Sequence, residues 1–341
     1  KGLLLWEVSL LFVGVTMFVD ARFELSKDAV EAIRKIPIKF GFDGFGALVY
    51  FRTYSRLKED GSQENWHDTV IRVMTGIMSI RKDWYKKHGL PWVESYWQNY
   101  ATAMAIYMAQ MKFLPPGRGI WIGGSEYLYE RGSFACFNCA GIAINNETMD
   151  EDFAWVIDAL MCGAGVGAEC LPGILTFKPP SPLELELYVI PDSREGWSEA
   201  LRKLIRSYMD GSRTLKFDYS LIRPTGAPIR GFGGMASGPG PLVELLEQVR
   251  GCCESVIKGT MSRTRFIADV MNMIGCCVVA GNSRRSAELL LGSPTDTEFL
   301  DLKDYKKYPE RQEWSWMSNN TVSLAKPEHF EVIPEIASRI K

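Results

Sequence analysis

The chain has 341 residues, 46% of them hydrophobic and 23% charged, with a formal net charge of -2 at pH 7. That length supplies core for one large α/β domain or two ordinary ones, and a near-neutral balance without a basic stripe excludes bulk binding to DNA or RNA. Eight cysteines in so long a chain are too few for a disulfide scaffold and point to a reducing, cytoplasmic setting.

Residues 1–19 are apolar apart from Lys1 and Glu7, a length at the borderline of a membrane span. Glu7 argues against a signal peptide, and three readings stay open: an extension upstream of a start at Met17, a docking segment, or an anchor. Residues 20–114 read as helical. Ser26 and Asp28 cap a helix through Val30 and Ile33, and the glycines of 41–46 make a turn into Ala47-Leu48-Val49-Tyr50, which opens a strand or a helix. Asn65 caps a helix over 66–79, where Val70, Val73, Met74 and Ile77 keep a 3.6-residue period, and 92–111 reads the same way.

From Pro115 the texture changes to short apolar runs divided by glycines. Pro115-Pro116-Gly117-Arg118-Gly119-Ile120-Trp121-Ile122-Gly123-Gly124 is a glycine-rich approach to 134–144, which reads as a short buried strand entered through a tight turn. Cys139 stands at the mouth of that strand, after Asn138. A helix opens at Asp150 or Glu151 with Phe153, Val156, Ile157 and Leu160 on one face. The run Gly163-Ala164-Gly165-Val166-Gly167-Ala168 spells a dinucleotide fingerprint, yet it comes after a helix and runs into Leu171-Pro172-Gly173. It is therefore expected to be a loop whose amides approach a ligand. Leu-Glu-Leu-Glu-Leu at 183–187 marks an edge strand or an insertion. Helices are expected after Pro241 and after Ser262 or Thr264, and helices alternating with strands argue for an α/β architecture.

Two further runs carry chemistry. Residues 222–241 hold Arg223, Arg230 and six glycines, and 281–288 hold the pair Arg284-Arg285. Bare backbone with guanidinium donors suits phosphates, although a mobile surface loop explains either run too. Cys136 and Cys139 form a Cys-x-x-Cys with no second pair at zinc spacing, and a strand rather than a helix comes after them. A redox thiol and a pair of buried thiols both remain open on the residues alone.

Taken in order, these runs resemble the adenosylcobalamin-dependent ribonucleotide reductases, particularly the monomeric ribonucleoside-triphosphate reductases, over residues 22–325. The resemblance rests on Leu48-Val49-Tyr50-Phe51-Arg52-Thr53-Tyr54-Ser55-Arg56, Glu64-Asn65-Trp66, Gly117-Arg118-Gly119-Ile120-Trp121 and Asn138-Cys139. It continues through 163–167, Asp192-Ser193-Arg194-Glu195-Gly196-Trp197, 231–241, 280–289 and Trp316-Met317-Ser318-Asn319-Asn320-Thr321-Val322.

The resemblance implies a helical N-terminal region at 20–114, behind the extension at 1–19. The first half of a ten-stranded α/β barrel would come next at 115–341, with an effector-site insertion at about 171–215. It implies reduction of ribonucleotides, in this branch the triphosphates, with adenosylcobalamin as cofactor, a deoxynucleotide or ATP effector, a thioredoxin-like reductant and a monomeric enzyme. Cys139 falls where the family keeps one cysteine of the pair that reduces the ribose 2′ position. Asn138, Gly163, Gly165 and Gly167 would line the substrate site. Arg223, Gly233, Gly234 and Ser237, with Asn282, Arg284 and Arg285, match the loops that sense the effector.

The family's Asn-Pro-Cys-Gly-Glu signature, second redox cysteine and C-terminal cysteine pair do not occur in these 341 residues, and much of the cobalamin contact belongs with them. The chain is therefore expected to be catalytically incomplete alone, as an N-terminal fragment or as one piece of a split enzyme with a complementary chain. Cys136 is a nearby thiol that could compete in disulfide exchange. Two other readings are a non-catalytic nucleotide-binding regulatory remnant and the large subunit of a diiron-dependent reductase.

Overall fold

The computed structural model describes residues 19–58, 60–229, 235–280 and 287–339, which divide into two compact units between Asn138 and Cys139. Of the apolar extension only Val19 lies within the described residues. No helix among them is long and apolar enough to cross a membrane.

The first unit is helical. α1 (Lys27–Arg34) begins where the Ser26 side chain accepts the Ala29 N–H. α2 (Phe45–Thr53) resolves 47–50 as helix. α3 (Trp66–Lys87) opens on a reciprocal capping box between Asn65 and Asp68. It runs eight residues past the expected end at 79, because Asp83 is buried there and accepts the Asp20 and Ala21 N–H groups. α4 (Glu94–Ala109) packs on α3 around Trp66, Val70, Met74, Trp97, Ala101 and Met108.

The glycine-rich approach at 115–124 is not an open loop. It forms α5 (Gly117–Ile122), which packs on α3, and then comes α6 (Glu126–Arg131). A Cβ on Gly124 would sit 2.0 Å from the Arg72 carbonyl oxygen, and one on Gly76 would sit 2.0 Å from the Gly124 nitrogen. Close backbone approach accounts for these glycines. That contact also places 115–138 with the helical unit, so the division falls at 138/139 rather than at 114/115.

The second unit is α/β. Its elements are β1 (Cys139–Ala143), α7 (Met149–Met161), β2 (Gly165–Cys170), β3 (Leu185–Val189), α8 (Arg194–Asp210), β4 (Thr214–Asp218), α9 (Gly240–Ile257), α10 (Arg263–Val279), β5 (Glu288–Gly292), α11 (Thr297–Asp301), β6 (Ser318–Val322) and α12 (Ile333–Arg339). β1, β2, β5 and β6 form one parallel sheet in that order, and β3 and β4 form a second parallel pair. Parallel neighbours need crossovers, which α7 supplies between β1 and β2. The Leu-Glu alternation at 183–187 becomes part of β3, an edge strand as expected.

The two faces of the four-stranded sheet differ. Val166, Ala168, Cys170, Glu288, Leu290 and Ser318 point to a buried face against which α7 and α10 pack. Cys139, Gly141, Gly165 and Gly167 alternate onto the other face, where Cys139 and Gly141 are exposed. The expected buried strand is thus only partly covered: among the described residues β1 lies at the edge of the sheet, and its Cys139 and Gly141 are exposed.

α10 is buried along its whole length and carries a polar seam at Arg265, Asp269 and Asn272. At one end, Asn272 Nδ2 donates to Glu288 Oε2 at 3.0 Å, while among the described residues Glu288 Oε1 and Asn272 Oδ1 have no hydrogen-bond partner of good geometry. Burial pushes the Glu288 carboxyl up to about 8, against the pull of hydrogen bonds from Asn272 and from the Gly275 backbone. In so buried a site the neutral carboxyl, which can donate as well as accept, is the form that burial favours. The folded chain therefore holds a proton at pH 5–8 that the unfolded chain releases, and stability falls as pH rises through that window. Glu288→Gln removes this slope. In urea titrations at pH 5.5 and 8.5 it is expected to be near neutral at the lower pH and stabilising by about 1 kcal/mol or more at the higher, relative to the parent chain. Parallel pH profiles for the two proteins would show that Glu288 is ionised in the fold.

Candidate active site

Pairing brings Cys139 and the glycines of the second run together. Cys139 is in register with Gly165, and Gly141 with Gly167. The glycine run is not the loop expected from sequence: 165–170 is strand β2, and only Gly163, with φ +79°, makes the turn out of α7. The run belongs to a strand because Val166 and Ala168 alternate into the core while the glycines face outward.

These outward glycines differ from those of the helical unit. A Cβ on Gly141 would meet nothing nearer than the Gly167 carbonyl oxygen at 3.7 Å, and one on Gly167 nothing nearer than Leu289 Cβ at 3.8 Å. Those are ordinary van der Waals distances, so packing does not require glycine at either position. The glycines leave a strip without side chains, exposed at Gly141 and half-buried at Gly165 and Gly167, beside an exposed thiol free of any disulfide. The N–H and C=O groups of β2 are committed to β1 and β5, so what this face offers a ligand is close approach rather than hydrogen bonds.

Cys136 is a different kind of thiol. It sits at the end of a short 3-10 turn (Ser133–Cys136), partly buried, and burial pushes it up to about 11 against the opposing influence of Arg118. It is protonated at neutral pH and a poor nucleophile, which weakens the expectation that it competes in exchange. Asn138, the last residue of the helical unit, is exposed.

The expected effector residues are only partly in view. Arg223 and Ser237 stand at the base of one loop, tied across by the Gly226 N–H to the Ala236 carbonyl (2.9 Å) and by Thr225 Oγ1 to the Ser237 carbonyl (2.9 Å). Arg223 commits its half-exposed guanidinium to intramolecular bonds, donating to Asp192 Oδ2 at 2.7 Å and to the Pro228 carbonyl at 3.2 Å. Gly233, Gly234, Asn282, Arg284 and Arg285 lie outside the described residues. Sequence reasoning missed Gly141 as a member of the open strip. The signal was the alternation of Cys139 and Gly141 with Ala140 and Ile142.

Residues 25–125 match the model of the ribonucleotide reductase alpha domain, and residues 179–252 match that of the B12-dependent ribonucleotide reductase insertion domain. The second match spans β3, α8, β4 and most of α9. A probable adenosylcobalamin-dependent ribonucleoside-triphosphate reductase of Dictyostelium discoideum is 39% identical over 320 residues, covering 88% of this chain and 42% of that protein. The adenosylcobalamin-dependent ribonucleoside-triphosphate reductase of Euglena gracilis is 39% identical over 314 residues, with the same coverage of 88% and 42%. The crystal structure of a B-12 dependent (class II) ribonucleotide reductase superposes with a TM-score of 0.74 at 27% identity, covering 88% of this chain and 48% of that one. The chain belongs to the adenosylcobalamin-dependent ribonucleotide reductase family, and it spans about half the length of the relatives it matches. The diiron-dependent reading is not favoured.

Proposed function

We propose that this chain supplies one half of the active site of a ribonucleoside-triphosphate reductase, with Cys139 as one of the two thiols that reduce the ribose. In that reaction two thiols give up two electrons and two protons, close to a disulfide, and the 2′-hydroxyl leaves as water. The observation that carries the reading is the exposed Cys139 beside a strip of glycines that the fold does not need. Gly165, Gly167 and Asn138 would contact the nucleotide, and the loop based on Arg223 and Ser237 would sense a deoxynucleotide effector. A thioredoxin-like protein would re-reduce the pair. The setting would be the cytoplasm.

Adenosylcobalamin, when bound, supplies the radical that starts the chemistry. The cavity described beside the ends of α1 and α4, of about 370 Å³ and lined by Ala32, Lys35, Ile36, Pro37, Lys39, Ala109 and Gln110, is small for a corrin. That cavity is not assigned to the cofactor, and no step is derived through it.

The test is reconstitution. Coexpression with a chain that carries the family's Asn-Pro-Cys-Gly-Glu segment is expected to give cobalamin-dependent formation of deoxynucleoside triphosphates. Nucleotide binding without turnover in that mixture would favour a regulatory remnant instead. Gly167→Ala probes the strip itself. It is expected to fold with unchanged or slightly raised stability, by up to about 1 kcal/mol, since a Cβ there has room and restricts the unfolded chain. It is also expected to raise KM for the ribonucleotide about tenfold in the reconstituted enzyme, because the Cβ occupies the surface the substrate needs. An unaltered KM would remove the glycine strip from the substrate site.

A further inference from the structure

We infer that Arg194, in the first turn of α8, is a positioning residue for the glycine strip; this rests on the function proposed above for that strip. The Arg194 side chain is only 16% exposed and reaches back to the last turn of α7. Its Nε lies 2.8 Å from Asp158 Oδ1, its Nη1 donates to Cys162 Sγ, and its Nη2 lies 3.2 Å from Glu195 Oε1. Asp158 and Cys162 are four residues apart, so one guanidinium grips both along one face of the helix end.

The short connection from this helix end to β2 gives the grip its consequence. Cys162 caps α7, the Gly163 N–H closes onto the Leu160 carbonyl at 2.7 Å, and the Ala164 N–H onto the Ala159 carbonyl at 3.2 Å. β2 begins at Gly165, so three residues, 162–164, join the helix to the strand that faces Cys139. A connection this short has no slack. Any rotation of the last turn of α7 moves Gly165 against Cys139.

The other side of the same corner is tied to Arg223. Asp192 accepts from Arg223 at 2.7 Å, and Ser193 Oγ caps α8 by accepting the Gly196 N–H at 3.0 Å. Ser198 Oγ adds a second tie, donating to the Ala154 carbonyl of α7 at 2.7 Å. The start of α8 therefore lies between the proposed effector loop and the substrate-facing turn, with charged groups bonded on both sides. It is a rigid corner through which a shift of one could reach the other, and Arg194 is its contact with the site.

Hydrogen exchange of this chain tests the inference without nucleotide. In Arg194→Gln the amides of Gly163, Ala164 and Val166 are expected to exchange about tenfold faster, while the later turns of α8 stay within about twofold of the parent. Arg194→Lys keeps a charge opposite Asp158 but cannot also donate to Cys162, so part of the protection is expected to return. If Arg194→Gln does not fold, Asp158→Asn, which leaves the arginine in place, is expected to show a smaller loss at the same three amides. Exchange that rises by one factor throughout the unit would mean a role in overall stability alone, and unchanged exchange at 163–166 would overturn the inference. In the reconstituted enzyme Arg194→Gln is expected to lower kcat and raise KM, whereas loss of folded protein would lower only the apparent kcat. Failure to reconstitute activity counts against the proposed reductase function and leaves the exchange result standing, so the two can be told apart.

Discussion

Cys139→Ser is expected to abolish multiple turnover in the reconstituted enzyme, by about a thousandfold or more, while leaving folding intact. The serine oxygen matches the sulfur closely in size and position but cannot form a disulfide, so the two electrons needed to replace the 2′-hydroxyl have no donor. The side chain is exposed at the edge of the sheet, so little packing is lost. Cys136→Ser is the contrasting variant. That thiol is partly buried and held protonated, and its loss is expected to lower stability modestly while turnover persists. Retention of more than about a tenth of the activity in Cys139→Ser would remove it as the reductant.

Asp269→Asn is expected to be the most destabilising single substitution proposed, at about 3–5 kcal/mol in urea titration of the whole chain. Asp269 is fully buried in α10 and is the shared acceptor of three donors. Arg311 Nε donates at 2.6 Å and Trp314 Nε1 at 3.0 Å to its Oδ1, and Arg265 Nε donates at 2.5 Å to its Oδ2. Arg311 is itself fully buried, and among the described residues its Nη1 and Nη2 have no hydrogen-bond partner and Asp269 is the carboxylate paired with it. An amide keeps the shape but leaves that cation uncompensated, and uncompensated charge in a low-dielectric interior costs more than a lost hydrogen bond. The residues it anchors, 309–317, lead directly into β6, so that strand is expected to lose exchange protection first. A loss below about 1 kcal/mol would mean that the surroundings of Arg311 satisfy it without the carboxylate.

Much of the helical unit was legible in the sequence. Asn65 and Ser26 cap where capping residues precede apolar periodicity, and α3 overran its expected end because burial of Asp83 depends on the chain at 20–21, which no local period encodes. The glycine runs were legible as unusual but not as to purpose. Gly123 and Gly124 are consumed by close packing against α3, while Gly167 is half-buried on the open face of a strand with room for a Cβ. Composition is alike in the two runs, and only the neighbours brought in by folding separate them.

By itself the sequence determined the alternation of helices and strands, the capped helix starts, and the thiol at 139 with the ordered motifs that mark its family. These are properties of short windows, set by local propensity and by residue identity. Tertiary structure alone decided which glycines remain uncovered, that Glu288 keeps its proton, that Asp269 answers Arg311, and that Arg194 grips the end of α7. Each of these joins residues 16 to 42 positions apart or depends on what covers a strand face. Burial and charge pairing arise only when distant segments meet, and no pattern within one segment specifies them.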